Sequence, residues 1–296
     1  MKQRTLSKNY HFEGKGLHTG TSVRMDVGPA PAGTGIRFIR TDISPDAVVD
    51  ALASNVCSTS RSTELSCGKA RVRTVEHLLA ALTGLGVDNA LVRIDSAELP
   101  ILDGSAKPYV EAMSGDPFPE QDMDRKWIEL SETHEYRNEK TGSYIRLEPA
   151  DELSYECTID FNSKVLGVQT VSWKPGEDFV NAIAPCRTFC FLHEIQTMAA
   201  LGLVKGGDVE NAIIIVEKPV SDRMLAILAK RFSQPLLSVT PEGYLSNLVL
   251  RFPDECGRHK LLDLIGDLRL AGGFLKARIT AYKPGHSINT NAIKDL

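Results

Sequence analysis

No Cys-x-x-Cys pair occurs among the six cysteines of this 296-residue chain, at 57, 67, 157, 186, 190 and 256. That removes the commonest structural zinc clusters and dithiol redox motifs. The thiols sit mostly in apolar contexts, as expected of reduced, buried side chains in a reducing cytoplasm. No stretch approaches the roughly 18 apolar residues that cross a bilayer, and the first ten residues lack the apolar core of a secretion signal. A basic excess is missing too. The formal charge is −4 and the pI is near 6.0, which argues against a general nucleic-acid or membrane-surface binder. These absences predict a soluble, cytoplasmic protein with no integral membrane segment and no nucleic-acid partner.

Familiar catalytic signatures are lacking as well. Neither a nucleophile elbow nor a phosphate-binding loop is present, which removes the commonest serine hydrolases and nucleotide phosphotransferases. Gly14-Lys-Gly-Leu-His-Thr-Gly20 is not a dinucleotide fingerprint, because its sixth position is Thr19 and no helix pattern follows. It reads as a tight hairpin connection in which His18 is a turn residue. The peptidase pattern His-Glu-x-x-His is absent, and His-x-x-Glu-His fails because position 73 is arginine.

What is present is a polar seam on an apolar helix. In His259-Lys-Leu-Leu-Asp-Leu-Ile-Gly-Asp-Leu268, the residues His259, Asp263 and Asp267 fall at i, i+4 and i+8, on one stripe, while Leu261, Leu264, Ile265 and Leu268 cover the buried side. An isolated His-x-x-x-Asp is more often a solvated ion pair. Here a second copy changes the balance: His-x-Leu-x-x-Leu-x-Gly fits both His77 to Gly84 and His259 to Gly266. Each is followed by an alternating, β-branched stretch, 90–94 and 276–280. Two related α/β units facing each other across these helices would bring a histidine from each to one interface.

His77, His259 and Asp263 then form a three-ligand set that leaves a position open for water, an arrangement built for hydrolysis. Two histidines and one aspartate suit Zn²⁺ and also Fe²⁺. Cys256 is a weak alternative ligand. Glu76, in the first turn beside His77, can lean over such a site as general base. His286 follows a strand in a glycine loop.

Length and 42% hydrophobic content allow one large or two ordinary domains, and the repeat favours two. The expected boundaries are 1–118 and 125–296, joined by a Pro- and acid-rich linker at 114–124. Strands are expected over 4–12, 22–28, 126–137, 143–149, 153–162 and 211–216. Helices are expected at 75–85, capped by Thr74, at 107–113 and at 222–232, with a hairpin over 235–252. Phe191, Ile195, Met198 and Leu201 read as a greasy helical face.

Five blocks together carry a resemblance: Thr74-Val-Glu-His-Leu-x-Ala-Ala-Leu, Glu98-x-Pro-Ile-x-Asp-Gly-Ser-Ala, Arg187-Thr-Phe, His259-Lys-x-x-Asp-x-x-Gly-Asp and Ala281-Tyr-Lys-x-Gly-His. In that order the chain resembles the zinc-dependent UDP-3-O-acyl-N-acetylglucosamine deacetylases of lipid A biosynthesis over nearly its whole length. The resemblance implies an α+β fold of two similar α/β domains, with helices packed between two sheets as a β-α-α-β sandwich and the site at the domain interface. It makes His77, His259 and Asp263 the ligands and Glu76 the base. His286 becomes the acid, with Asp267 setting its protonation, and Thr188 an oxyanion donor.

For the UDP-linked, acylated amino-sugar substrate, Lys260 and Lys283 would meet the diphosphate and Phe161 the uracil. The insert at about 189–216 becomes an acyl passage lined by Phe189, Phe191, Ile195, Met198 and Ala212. Residues 217 to about 250 exceed the compact family pattern, and Thr63-Glu64-Leu65 matches it only loosely. Some relatives carry a fused acyl-carrier-protein dehydratase after this domain, and the chain is compatible with the front part of such a fusion. Two competing readings are a noncatalytic sugar-nucleotide or lipid-binding module with a structural metal, and a peptidase-like metalloenzyme. A structural zinc would be fully ligated, typically by cysteines, and would need neither Glu76 nor His286.

Overall fold

The computed structural model describes residues 1–195, 211–231, 234, 236–294 and 296. Strands form where apolar and polar residues alternate. In Ser22–Pro29 the side chains of Val23, Met25 and Val27 face the core while Ser22 and Arg24 face solvent. Edge to edge, the first sheet runs Tyr10–Lys15, Ser22–Pro29, Ala90–Ile94, Ile36–Arg40 and Val48–Asp50. The four pairings are antiparallel, antiparallel, parallel and antiparallel. The second sheet runs His134–Asn138, Ser143–Pro149, Phe274–Tyr282, Ser154–Asp160 and Val168–Trp173, with the same succession of senses. A short strand, Trp127–Glu129, adds in parallel alongside the start of Phe274–Tyr282.

In each half a helix leads into the central strand, Glu76–Gly84 before Ala90–Ile94 and Glu255–Leu268 before Phe274–Tyr282. A shorter helix follows each, Lys107–Met113 and His286–Asn291. The repeat in the sequence is therefore a repeat of topology. The two long helices pack against each other, and one continuous apolar core takes in both helices and the inner faces of both sheets. Glu76 to Thr83 are all buried, and Glu255–Leu268 is buried except at Arg258 and Lys260. A helix covered on every side must be apolar nearly all round, which accounts for the leucine-rich composition of both.

The repeat's glycine has a packing reason. A Cβ on Gly266 would lie 2.0 Å from the Glu76 carbonyl oxygen and 3.1 Å from its Cα, so the backbones of the two helices touch there. Its counterpart, Gly84, lies against the Phe179 ring, 2.2 Å from where a Cβ would stand.

Several elements differ from expectation. Thr74 does not cap its helix: it has φ +60, and its hydroxyl donates to Glu98 Oε1 at 3.0 Å, leaving Val75 at the cap position. Part of the expected linker is a strand, Glu120–Asp124, antiparallel to Lys2–Arg4. The stretch 126–137 is broken between Trp127–Glu129 and His134–Asn138, and the first expected strand is split into Lys2–Arg4 and Tyr10–Lys15. Phe191 ends a short strand, Phe189–Phe191, which pairs in parallel with Ile213–Ile215. Across 236–252 a tight turn with one bridge, Val239 to Leu245, replaces the hairpin.

The helix Asp222–Arg231 is present as expected. Together with Leu192, Ile214, Val216, Leu237 and Leu245 it encloses a second, smaller apolar cluster. Met198 and Leu201 lie outside the described residues. Cys57 and Cys67 are exposed, so only part of the expectation of buried thiols holds.

Because Gly266 touches backbone and not a movable side chain, Gly266→Ala should destabilise the protein by about 1–3 kcal/mol through overpacking. Gly115→Ala, where nothing lies within 4 Å of the added carbon, is the control and should be nearly neutral. Chemical denaturation of the two variants tests this, and equal midpoints would show that the helices can separate at no cost.

Candidate active site

At the helix-helix contact the two copies of the repeated histidine meet. The rings of His77 and His259 stand edge to face with centroids 5.1 Å apart. Asp263, one turn after His259, places Oδ1 3.6 Å from His77 Nε2 and 3.4 Å from His259 Nε2. All three residues are buried, and their ligand-type atoms lie within 4.8 Å of one another.

A cation fits this set on three counts. Asp263 Oδ1 is buried yet has no hydrogen-bond partner, a costly arrangement for a carboxylate oxygen unless something positive occupies the space before it. His259 Nδ1 lies 3.0 Å from the Cys186 carbonyl, which fixes the tautomer that leaves Nε2 free as a donor to a metal. Lys260 Nζ donates to Asp263 Oδ2 at 2.8 Å, so only Oδ1 faces the histidines. The protonation states agree: burial lowers the His259 pKa to about 4, keeping the ring neutral. Burial opposes ionisation of Asp263, but His259, Lys260 and His77 hold its carboxyl well below the usual carboxylate range.

Beside this triad stand two further groups. Glu76 is buried in the first turn of its helix, where its Oε2 accepts the Thr63 backbone N–H at 3.1 Å and its Oε1 lies 3.9 Å from His286 Nε2. Burial raises the Glu76 pKa, while His286 and His77 oppose that rise. His286 opens the helix His286–Asn291 and does not sit in a free loop as expected. Its Nδ1 contacts Asp267 Oδ2 at 2.9 Å, and Asn289 Nδ2 donates to the same oxygen at 2.9 Å. Burial disfavours the imidazolium, yet Asp267 and Glu76 outweigh it and raise the His286 pKa to about 9. A buried carboxyl group and a protonated imidazole thus face each other, a pairing suited to proton transfer.

Thr188 reaches the same region because its neighbours are anchored to the Glu255–Leu268 helix. Arg187 forms a buried ion pair with Glu255 at 2.8 Å, and Cys186 supplies the carbonyl that holds His259. Thr188 itself is half-buried, with its backbone bonded to Gly104 and Ile213. Gly104 has φ +82 and lies so close to the Asn211 carbonyl that no side chain would fit.

Phe161, Phe189 and Phe191 form an aromatic group, with Phe161 5.5 Å and 5.7 Å from the other two rings. Phe189 is also 6.3 Å from the His259 ring. Ile195 packs on the second apolar cluster, and half-buried Ala212 directly precedes the strand paired with Phe189–Phe191. Lys283 pairs with Asp160 at 3.1 Å. Met198 is outside the described residues.

Sequence reasoning missed Asn289 and the Arg187–Glu255 pair, and it set Thr63 near the site only through a loose match to the family pattern, with no role. Asn289 and Glu255 could have been found, since they lie three residues after His286 and four before His259, on the same helix faces. Thr63 carries no such spacing signal.

Comparison with known proteins agrees with the geometry. The bifunctional enzyme LpxC/FabZ of Porphyromonas gingivalis is 41% identical over 288 residues, covering 97% of this chain and 62% of that protein. The protein of the same name from Chlorobaculum tepidum is 39% identical, covering 99% of this chain and 64% of its own length. The chain thus spans less than two thirds of these relatives. The UDP-3-O-acyl-N-acetylglucosamine deacetylase of Myxococcus xanthus is 38% identical over 296 residues, covering 99% of this chain and 86% of that protein. Residues 3–234 and 228–296 match the family described as LpxC, UDP-3-O-acyl N-acetylglycosamine deacetylase, and the chain belongs to that family.

Proposed function

We propose that this protein hydrolyses the N-acetyl group of a UDP-3-O-acyl-N-acetylglucosamine, releasing acetate and the free 2-amine, in lipid A biosynthesis. The observation that carries this reading is one buried interface in which three ligand-type side chains stand beside a carboxylate and an imidazole 3.9 Å apart. Zn²⁺ or Fe²⁺ held by His77, His259 and Asp263 would act as a Lewis acid on the acetamide carbonyl. Glu76 takes a proton from the attacking water as the new C–O bond forms. His286, protonated through its contact with Asp267, gives a proton to the nitrogen as the C–N bond breaks. Thr188 offers its hydroxyl to the oxygen on which negative charge develops.

Lys260 and Lys283 supply positive charge toward the diphosphate, and Phe161 a face for the uracil. The strand pair Phe189–Phe191 and Ile213–Ile215, with Ile195 and Ala212, gives the acyl chain an apolar path. Among the described residues no helix is long and apolar enough to cross a membrane, and all six cysteines are free. A reducing, cytoplasmic setting fits both facts.

Alanine at His77, His259 or Asp263 should lower bound metal and acetate release together, because each removes one bond from a three-ligand set. Metal analysis beside the assay checks this, and full occupancy with normal turnover would exclude that residue. Metal retained by the wild type without any acetate release would instead favour a binding module.

Glu76→Gln should keep its metal while kcat falls by about 10²-fold or more. Because the raised His286 pKa keeps the imidazolium populated up to about pH 9, wild-type kcat/KM should decline as pH rises through that value. His286→Ala should keep the metal and lose this alkaline decline, and a decline that survives the substitution belongs to another group. Ala212→Phe should shorten the acyl chain accepted, at about 0.8 kcal/mol per excluded methylene. An unchanged chain-length profile would return this stretch to the core.

A further inference from the structure

Thr63 is fully buried and lies directly before the strand Glu64–Cys67, far in sequence from the second half of the site. Its N–H and its hydroxyl nonetheless reach one carboxylate in each half of the site. Its N–H donates to Glu76 Oε2 at 3.1 Å, and its hydroxyl donates to Asp267 Oδ1 at 2.6 Å across 204 residues. Its carbonyl accepts the Thr74 N–H at 3.0 Å. Thr74 is a β-branched residue held at φ +60, a conformation that persists only where its surroundings fix it. Here Thr63 on one side and the bond from the Thr74 hydroxyl to Glu98 on the other do so, two residues ahead of Glu76.

The hydroxyl's target is equally constrained. Asp267 is fully buried, and its Oδ2 receives both His286 Nδ1 and Asn289 Nδ2. Its Oδ1 has the Thr63 hydroxyl as its one hydrogen-bond donor among the described residues. A buried carboxylate oxygen left without a donor is unstable as an anion, so the group would rotate toward other donors or take up a proton. Either change disturbs the oxygen that holds His286. The backbone of Thr63 thus sets the carboxylate of one half, and its side chain sets the carboxylate that orients the imidazole of the other.

We propose that Thr63 is a positioning residue of the reaction, fixing Glu76 and the His286–Asp267 pair relative to each other across the two halves. This rests on the reading of Glu76 and His286 as base and acid. Thr63→Val keeps the size and loses the hydroxyl, so kcat should fall by about 10–100-fold, the usual effect of removing an outer hydrogen-bond partner. KM and metal content should stay near wild type. Thr63→Ser, which keeps the hydroxyl and loses the methyl, should return kcat to within about threefold.

Acetate release with each holoenzyme, metal analysis and thermal melting are the measurements. If Thr63→Val is too unstable to purify, Thr63→Ala carries the same expectation and Thr63→Ser the same rescue. In an Asp267→Asn background the loss caused by Thr63→Val should largely disappear, since both changes break one contact. Wild-type kcat in Thr63→Val, equal damage in the Ser and Val variants, or full additivity with Asp267→Asn would each overturn the proposal. Normal turnover in Glu76→Gln would sink the acid/base reading itself, whatever Thr63 does.

Discussion

Everything in this molecule depends on two buried helices being allowed to touch. Gly266 removes the side chain that would separate Glu255–Leu268 from the backbone at Glu76, and only at that spacing can ligand-type atoms from both helices converge within 4.8 Å. Apolar packing supplies the force that closes the contact, since both helices are leucine-rich on their remaining sides and covered by a sheet on the outside. The polar stripe is therefore carried into the interior by its neighbours. Burial alone would make it a liability, and its members are arranged to offset one another.

That arrangement is an electrostatic balance inside the core. Glu76, Asp263 and Asp267 carry or share negative charge, while Lys260 and the His286 imidazolium answer it at 2.8 and 2.9 Å. His259 is kept neutral by burial, which preserves a lone pair where a cation would otherwise be repelled. His259 is thus held neutral and His286 protonated, each for a different physical reason. In a low-dielectric interior such differences are held firmly, so two identical side chains in one site can differ in charge.

Much of this was legible in the sequence because it was written as spacing. The i, i+4, i+8 stripe of His259, Asp263 and Asp267, and the repeated His-x-Leu-x-x-Leu-x-Gly, report local geometry directly. The duplicated topology followed from the same pattern, and its shared glycine is explained by contact. Long-range partners left no such trace. Thr63, separated by 204 residues from the carboxylate it holds, carries no spacing signal and matches the family pattern only loosely. Thr74 read as a helix cap because its chemistry suits one, yet a positive φ and the pull of Glu98 took its hydroxyl elsewhere. The strand Glu120–Asp124 inside the expected linker left no signal, because acids and prolines mark turns whether or not the next residues pair as a strand.

The position of the central strands has a consequence for how the protein comes into being. In the first sheet the middle strand, Ala90–Ile94, is the last of five to be synthesised, so that sheet can close within the first hundred residues. In the second sheet the middle strand is Phe274–Tyr282, flanked by partners made more than a hundred residues earlier. A growing chain can therefore pair the whole first sheet while the hairpins of the second still lack the strand that joins them. The set His77, His259 and Asp263 and the contact between His286 and Asp267 therefore come together only after Phe274–Tyr282 and the helix that follows it have been made.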